Sequence, residues 1–126
     1  MAAQGPCLKV GEFLLPSGLI AIERDGRIAG RDVSPGFTGL AHAGYSQADA
    51  VYRYAEALCR AAGARMAKLL RAQYFVDEIA AFAGITTAWA ARYQNQPHPF
   101  LCVQTPTPMP APGCALIADF WIATAA

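Results

Sequence analysis

The segment Cys114–Thr124 constrains the fold of this chain more than any other part of the sequence. Successive side chains of a strand alternate between its two faces, and here both sets are apolar apart from Asp119. Such a strand is typically covered on both faces. The four prolines between Thr105 and Gly113 cannot lie inside a sheet, so that stretch is predicted to be a rigid loop. We therefore expect the loop to be followed by a long strand packed on both sides.

Short strands and tight turns are predicted in the first part of the chain. The predicted strands are Leu8–Val10, Phe13–Leu15 and Leu19–Glu23. Gly11-Glu12 forms a tight turn between the first two, and Asp25-Gly26 forms a turn that precedes Ile28. The glycine-rich residues 30–45 are predicted to form a loop.

Two helices are predicted on either side of a central strand. Ser46 and Asp49 have the spacing of a capping box, and Gly63 is placed to end the first helix. The apolar residues of that helix are Val51, Tyr54, Ala55, Leu58 and Ala62. Asp77 is placed to cap the second helix. The predicted apolar stripe of the second helix is Ile79, Phe82, Ala83, Thr86, Trp89, Ala90 and Tyr93.

The central strand is predicted at Leu69–Val76, with a further short strand at Leu101–Gln104. Regular alternation would place Leu70, Ala72, Tyr74 and Val76 on one face, and Leu69, Arg71, Gln73 and Phe75 on the other. The order is strands, helix, strand, helix, strand, strand. It predicts one α+β domain over residues 1–126, in which two helices pack on one face of a mixed sheet.

Composition excludes several classes of function. Charged residues make up 15% of the 126 residues and hydrophobic residues 55%, so a second subunit is expected to cover one apolar face. The net charge is +1 and the basic residues are scattered, which argues against nucleic acid as a partner. No apolar run is long enough to span a membrane, and residues 1–9 are not expected to form a signal peptide.

The four cysteines are Cys7, Cys59, Cys102 and Cys114. None belongs to a Cys-x-x-Cys pair and neither histidine is near one in sequence, so no metal site is predicted. No cofactor motif is present either. Reduced thiols and a cytoplasmic location are the expected combination.

Several sequence motifs, in their order along the chain, resemble those of one known family. Residues 13–20, Phe-Leu-Leu-Pro-Ser-Gly-Leu-Ile, resemble its early strand, and residues 61–64 with the following strand resemble its central helix and strand. Leu101-Cys102-Val103-Gln104, a proline loop and a long strand resemble its C-terminal hairpin. The chain thus resembles the Rid family, the reactive intermediate deaminases of YjgF type that are also labelled endoribonuclease L-PSP. The resemblance implies a chorismate-mutase-like homotrimer with ligand clefts between subunits, hydrolysis of imines or enamines, and an arginine that binds the ligand carboxylate.

The sequence departs from that family at the site itself. The family pattern Pro-Ala-Arg-x-Cys-Val is matched by residues 98–103, which places Phe100 at the arginine position. Thr86 stands where the family has asparagine, and Asp119 where it has a longer acid. Cys7 falls where a cleft tyrosine would lie. Ser17, Gly18 and Cys102 are retained.

The resemblance assigns candidate roles to six residues. Asp119 and Ser17 are candidate catalytic residues, and the candidate substrate-binding residues are Gly18, Thr86, Phe100 and Cys102. Asp119 has an alternative role as a structural carboxylate paired with Arg71 or another basic group. Arg92 is a candidate replacement for the missing cation if it reaches across an interface.

Three hypotheses of function follow. The first is a divergent imine or enamine deaminase, or a related hydrolase, that does not act on 2-imino acids. The second is a non-catalytic trimeric protein that binds a small molecule in the same cleft. The third, RNA cleavage, is disfavoured because no basic patch is present.

Overall fold

A computed structural model describes residues 7–23, 25–26, 28, 43–94, 96–97, 99–105 and 114–124. The loop predictions for residues 30–42 and 106–113 lie outside the described residues, as do both histidines and the side chain of Cys7.

The described chain forms one five-stranded sheet and two α-helices, which confirms the predicted α+β class and element order. The elements are β1 (Cys7–Val10), β2 (Phe13–Pro16), α1 (Ala43–Ala62), a 3₁₀ turn (Met66–Lys68), β3 (Leu69–Val76), α2 (Ala81–Tyr93), β4 (Phe100–Gln104) and β5 (Leu116–Ala123). The strand order is β1-β2-β5-β3-β4. Strands β3 and β4 are parallel and the other pairs are antiparallel, so the sheet is mixed as predicted.

The strand β5 separates the two faces of the sheet. Its even-numbered residues are buried in the core with the helices: Leu116, Ala118, Phe120 and Ile122. Its odd-numbered residues lie on the other face and are partly exposed: Ile117, Asp119, Trp121 and Ala123. The expectation that both faces are covered therefore holds within one chain only for the helix face.

The face opposite the helices is here called the open sheet face. Register places on it the side chains of Leu8, Val10, Phe13, Leu15, Arg71, Gln73, Phe75, Leu101, Val103, Ile117, Asp119, Trp121 and Ala123. Leu8 is 62% exposed and Phe13 is 46% exposed. An apolar surface of this extent is uncommon on a protein that works as a monomer.

The two helices approach each other closely at Gly84 of α2. A Cβ atom added there would lie 2.5 Å from the backbone nitrogen of Tyr45 in α1. The glycine therefore lets the two backbones approach, and Ile85, Ala88 and Trp89 are buried on the same side. Further into the core, the buried hydroxyls of Tyr52 and Tyr74 are 2.7 Å apart and satisfy each other between α1 and β3.

Charged groups join the helices at their edge. The Arg92 guanidinium on α2 lies 2.8 Å from Asp49 and 3.3 Å from Glu56, both on α1. Tyr93 also donates a hydrogen bond to Glu56, at 2.5 Å. Burial lowers the pKa of Arg92, but the two carboxylates outweigh it and the pKa is raised, so the guanidinium stays charged.

Local predictions were confirmed where glycine ends an element. Gly11 adopts a φ of 56° in the β1–β2 turn, and Gly63 adopts a φ of 73° after α1. The amide of Ala64 bonds to the carbonyl of Cys59 at 2.7 Å, the long hydrogen bond of a Schellman motif. The turn at Asp25-Gly26 is also present, because the Gly26 amide bonds to Glu23 and Ile28 pairs with Ile22.

The predicted starts of both helices were wrong. The helix α1 begins at Ala43, so Ser46 lies inside it and Asp49 serves the ion pair with Arg92 instead of a capping box. Asp77 accepts a hydrogen bond from the Glu78 amide and begins a separate turn, whereas α2 starts at Ala81. Tertiary contacts outweighed the local capping signals in both cases.

Three further predictions need correction. The second helix buries Ala81, Gly84, Ile85, Ala88 and Trp89 rather than most of the predicted stripe, because its sequence is apolar on nearly every side. A register shift between Leu69 and Arg71 leaves Leu69 buried and Leu70 exposed, the reverse of regular alternation. The segment Leu19–Glu23 makes isolated bridges and not a strand.

No helix of the described part is both long and apolar enough to cross a membrane.

We expect Gly84→Ala to destabilise the protein by about 1–3 kcal/mol through overpacking against the α1 backbone. At an ordinary helix position the same change would stabilise by roughly 1 kcal/mol, so the sign is diagnostic. The free energy of unfolding in urea measures it. Ala83→Gly, at the exposed neighbouring position, is the control that reports helix propensity alone. A neutral or stabilising Gly84→Ala would contradict the close helix contact.

We expect Arg92→Ala to lower the free energy of unfolding by about 1–2 kcal/mol, since it leaves two partly buried carboxylates without their shared cation. Arg53 also pairs with Asp49, at 3.4 Å, but its side chain is 50% exposed. Arg53→Ala is therefore the matched control, with an expected loss below about 0.5 kcal/mol. Equal losses for the two variants would refute the helix-joining role of Arg92.

Candidate functional site

Three of the predicted site residues meet in the structure. The side chain of Ser17 donates a hydrogen bond to Asp119 Oδ1 at 3.2 Å, and the Gly18 amide donates to the same oxygen at 2.6 Å. We call these residues the Asp119 cluster. Leu19 and Ala118 exchange two backbone hydrogen bonds of 2.9 Å, which bring the end of β2 alongside β5. Gly18 has a φ of 66°, a conformation that favours glycine at this position.

The cluster fixes a carboxylate on the open sheet face. Because Oδ1 already accepts two hydrogen bonds, the Gly18 amide is occupied and does not point freely at a ligand. Among the described residues, Oδ2 of Asp119 accepts no hydrogen bond. That oxygen can accept a proton or a hydrogen bond from a bound molecule.

The proposed pairing of Asp119 with Arg71 is not formed within the chain. The guanidinium carbon of Arg71 lies 5.4 Å from the centroid of the Trp121 ring, its partner in register on β5. Within the described residues no cation lies within 4 Å of Asp119. Among the described residues, the side-chain partners of Asp119 are therefore Ser17 and Gly18.

A second group of candidates lies at the edge of the sheet beside α2. The Phe100 ring packs on the Phe82 ring, with centroids 5.2 Å apart and planes tilted by 31°. Cys102, two residues along β4 on the same face, is opposite Tyr74 of β3 and packs against the core. We call Phe82, Thr86, Phe100 and Cys102 the β4–α2 edge.

The polar groups of the β4–α2 edge have weak chemical activity. Burial raises the pKa of the Cys102 thiol, which keeps it protonated near neutral pH and disfavours a nucleophilic role. Thr86 is exposed one helical turn after Phe82, and its hydroxyl donates to the carbonyl of Ala83 at 3.0 Å. The edge is therefore mainly an apolar wall with a thiol and a hydroxyl.

The sheet separates the two groups within one chain. Across β3, the residue on β5 in register with Cys102 is Ala118, whereas Asp119 is in register with Gln73 and Leu101 on the open sheet face. The six predicted residues therefore do not form one pocket in a single copy. A common cleft would require residues from two copies.

Arg92, the candidate replacement for the missing cation, has both of its terminal nitrogens bound to carboxylates of α1. Sequence reasoning also missed Phe82 as the partner of Phe100. The signal was present, since Phe82 precedes Thr86 by four residues and so shares its side of the helix. Nowhere in the described ranges do three side chains of metal-binding type come together.

Comparison with known proteins places this geometry in a known fold. Neither a family model nor a curated protein matches the sequence. Among solved structures, PA3499 of Pseudomonas aeruginosa, a protein of unknown function, is 23% identical with a TM-score of 0.76, covering 98% of this chain and 82% of that chain. Yeast Mmf1 is 15% identical with a TM-score of 0.75, covering 98% and 88%.

Rv2704 of Mycobacterium tuberculosis, a member of the highly conserved YjgF/YER057c/UK114 family, is 17% identical with a TM-score of 0.72, covering 94% of this chain and 84% of that chain. At these identities structural similarity establishes the fold and not the activity. The strand order, the two helices on one face and these matches lead to one conclusion: this chain has the fold of the YjgF/YER057c/UK114 family.

Proposed function

We propose that this protein is a homotrimer that binds a small, neutral, partly apolar molecule in clefts between its copies. The contact between the Phe100 and Phe82 rings carries the proposal. It puts an apolar wall where the family resemblance expects an arginine that binds a carboxylate. A pocket of apolar walls with a few polar groups suits a neutral ligand.

The ion pairs of Arg92, the candidate substitute for the family arginine, support a neutral ligand. A carboxylate ligand needs a free guanidinium or ammonium group, because a buried anion without a partner is unstable. Arg92, the candidate substitute, is held by Asp49 and Glu56 and would have to give up both to reach a ligand. The thiol of Cys102 and the hydroxyl of Thr86 remain as polar groups at the β4–α2 edge.

The open sheet face supports the homotrimer. Its apolar side chains would gain roughly 25 cal/mol for each Å² removed from water. A second copy that covers this face would also bring the Asp119 cluster of one chain toward the edge of another, as the split between the two groups requires. The cytoplasmic location and the absence of a nucleic-acid partner remain predictions from the sequence.

A second candidate function is hydrolysis of a neutral imine or enamine. The observation that favours it is Asp119, whose Oδ1 is fixed by two donors while Oδ2 is left to accept a proton from water. A held carboxylate of this kind can act as a general base. Ser17 is then a positioning residue for Asp119.

We expect Phe100→Arg to gain affinity for small carboxylates such as pyruvate by at least about tenfold, since a guanidinium binds a carboxylate through two charged hydrogen bonds. Calorimetric titration of parent and variant measures the gain. Ala91→Arg is the control, because it adds the same group at an exposed position on the opposite side of α2 from Phe82. It should gain nothing.

Two outcomes would count against the neutral-ligand proposal. Tight binding of pyruvate by the parent would mean that another residue already supplies the charge. No gain for Phe100→Arg in a variant that still assembles would mean that the β4–α2 edge does not line the cleft.

We expect the parent to hydrolyse 2-iminopropanoate no faster than buffer does, in an assay that generates the imine with a dehydratase. A neutral imine of similar size tests the second function. If Asp119 is the base, Asp119→Asn should lower that rate by about 10²–10⁴-fold at a protein concentration where parent and variant are both assembled, because the amide keeps the hydrogen-bond acceptor but cannot take a proton. Ser17→Ala should lower it less. No turnover by the parent supports binding without chemistry.

A further inference from the structure

The open sheet face carries two charges that do not pair with each other. Among its described residues only Arg71 and Asp119 are charged, one of each sign. They are diagonal neighbours on adjacent strands, since Arg71 is opposite Trp121 and Asp119 is opposite Gln73. Diagonal neighbours on a sheet are within reach of a long side chain. Their separation therefore needs a cause.

Each charge is held away from the other by its own contact. The strand β5 lies between β2 and β3, and the Asp119 carboxylate is drawn toward the β2 side by Ser17 and Gly18. The Arg71 guanidinium instead lies over the Trp121 ring on the β3 side. A cation placed on an indole face is stabilised there without a counter-ion. The chain thus presents two fixed charges in an apolar surface.

Covering this face would make both charges costly unless each met a partner. Removing an unpaired charge from water is strongly unfavourable, whereas a well-matched pair across an interface offsets that cost. One positive and one negative group make the face self-complementary, with no net charge to attract a nucleic acid or an acidic membrane. In a ring of three copies, one neighbour supplies the counter-charge for Arg71 and the other neighbour supplies the counter-charge for Asp119.

We propose that, in the homotrimer inferred above, Arg71 of one copy forms an ion pair with Asp119 of the next copy. This inference rests on the proposed assembly and names the residues that would align one copy with the next. The pair fixes the register of the two sheets, since an apolar face alone would tolerate sliding. It also makes Ser17 and Gly18 positioning residues for the interface, because they aim the carboxylate of Asp119.

A double-substitution cycle on the assembly equilibrium tests the pair. The variants are Arg71→Gln, Asp119→Asn and the two together, each measured by sedimentation and light scattering over a range of concentrations. Asparagine retains the oxygen that accepts from Ser17 and Gly18, so the local turn is preserved. Each single change should raise the concentration for half-assembly at least about tenfold, because it leaves one charge buried and unpaired. The double variant should be no worse than either single variant.

Charge reversal gives a second measurement with a control on the helix side of the molecule. Arg71→Glu should dissociate the assembly most strongly, since it sets two acids against each other. Arg65→Glu makes the same charge change at an exposed position beside the 3₁₀ turn and should leave assembly unchanged. Thermal unfolding of dissociated chains checks that each variant folds.

The outcomes separate the two proposals. A parent that remains a monomer at micromolar concentration, with a mass of 13.4 kDa instead of three times that, would overturn the homotrimer and the ion pair together. A trimeric parent whose single variants assemble unchanged, or whose double variant loses the sum of the two single losses, would overturn the ion pair alone. A coupling that appears in the unfolding of the monomer and not in assembly would place the pair within one chain.

Discussion

The alternation of side chains along β5 determines how the rest of the molecule is arranged. This strand pairs with both β2 and β3, so its even-numbered residues complete the core under the helices and its odd-numbered residues face the other way. A shift of one residue in its register would expose Phe120 and bury Asp119. The register of β5 therefore determines both the aromatic core beneath α1 and the surface that carries Asp119.

The candidate site is divided because of this same ladder. Cys102 and Phe100 follow the helix face, and Asp119 follows the open sheet face, so the two groups of candidate residues lie apart in one copy. The β4–α2 edge is mainly apolar, with one thiol and one hydroxyl. The Asp119 cluster carries a charge that is fixed in position. Such a division is expected of the proposed cleft between copies, to which each chain would contribute one of the two groups.

Much of the fold could be predicted from residues whose role is local. Gly63 ends a helix and Gly11 forms a turn because few other residues adopt those backbone angles. The strand β5 was predicted from its length and its apolar residues. The phase of α2 could not be predicted, since its sequence is apolar on nearly every side and only contact with α1 selects one face. The contacts of Asp119 with Ser17 and Gly18 join residues about a hundred positions apart, and no periodicity in the sequence encodes that distance. The resemblance to a family, not the pattern of residues, had singled them out.

The close contact at Gly84 has a consequence for how such a chain diverges. Phe82 and Thr86 lie within one turn of Gly84, on the same helix that packs against α1. A side chain at position 84 would meet the backbone of α1, so α2 would have to shift outward. The Phe82 ring, which packs on Phe100, would move with it. The spacing between the two helices thus helps to set where the Phe82 ring meets Phe100. If the proposed cleft lies at this contact, a substitution in the helix layer would alter the shape of the cleft while every residue that lines it stays the same.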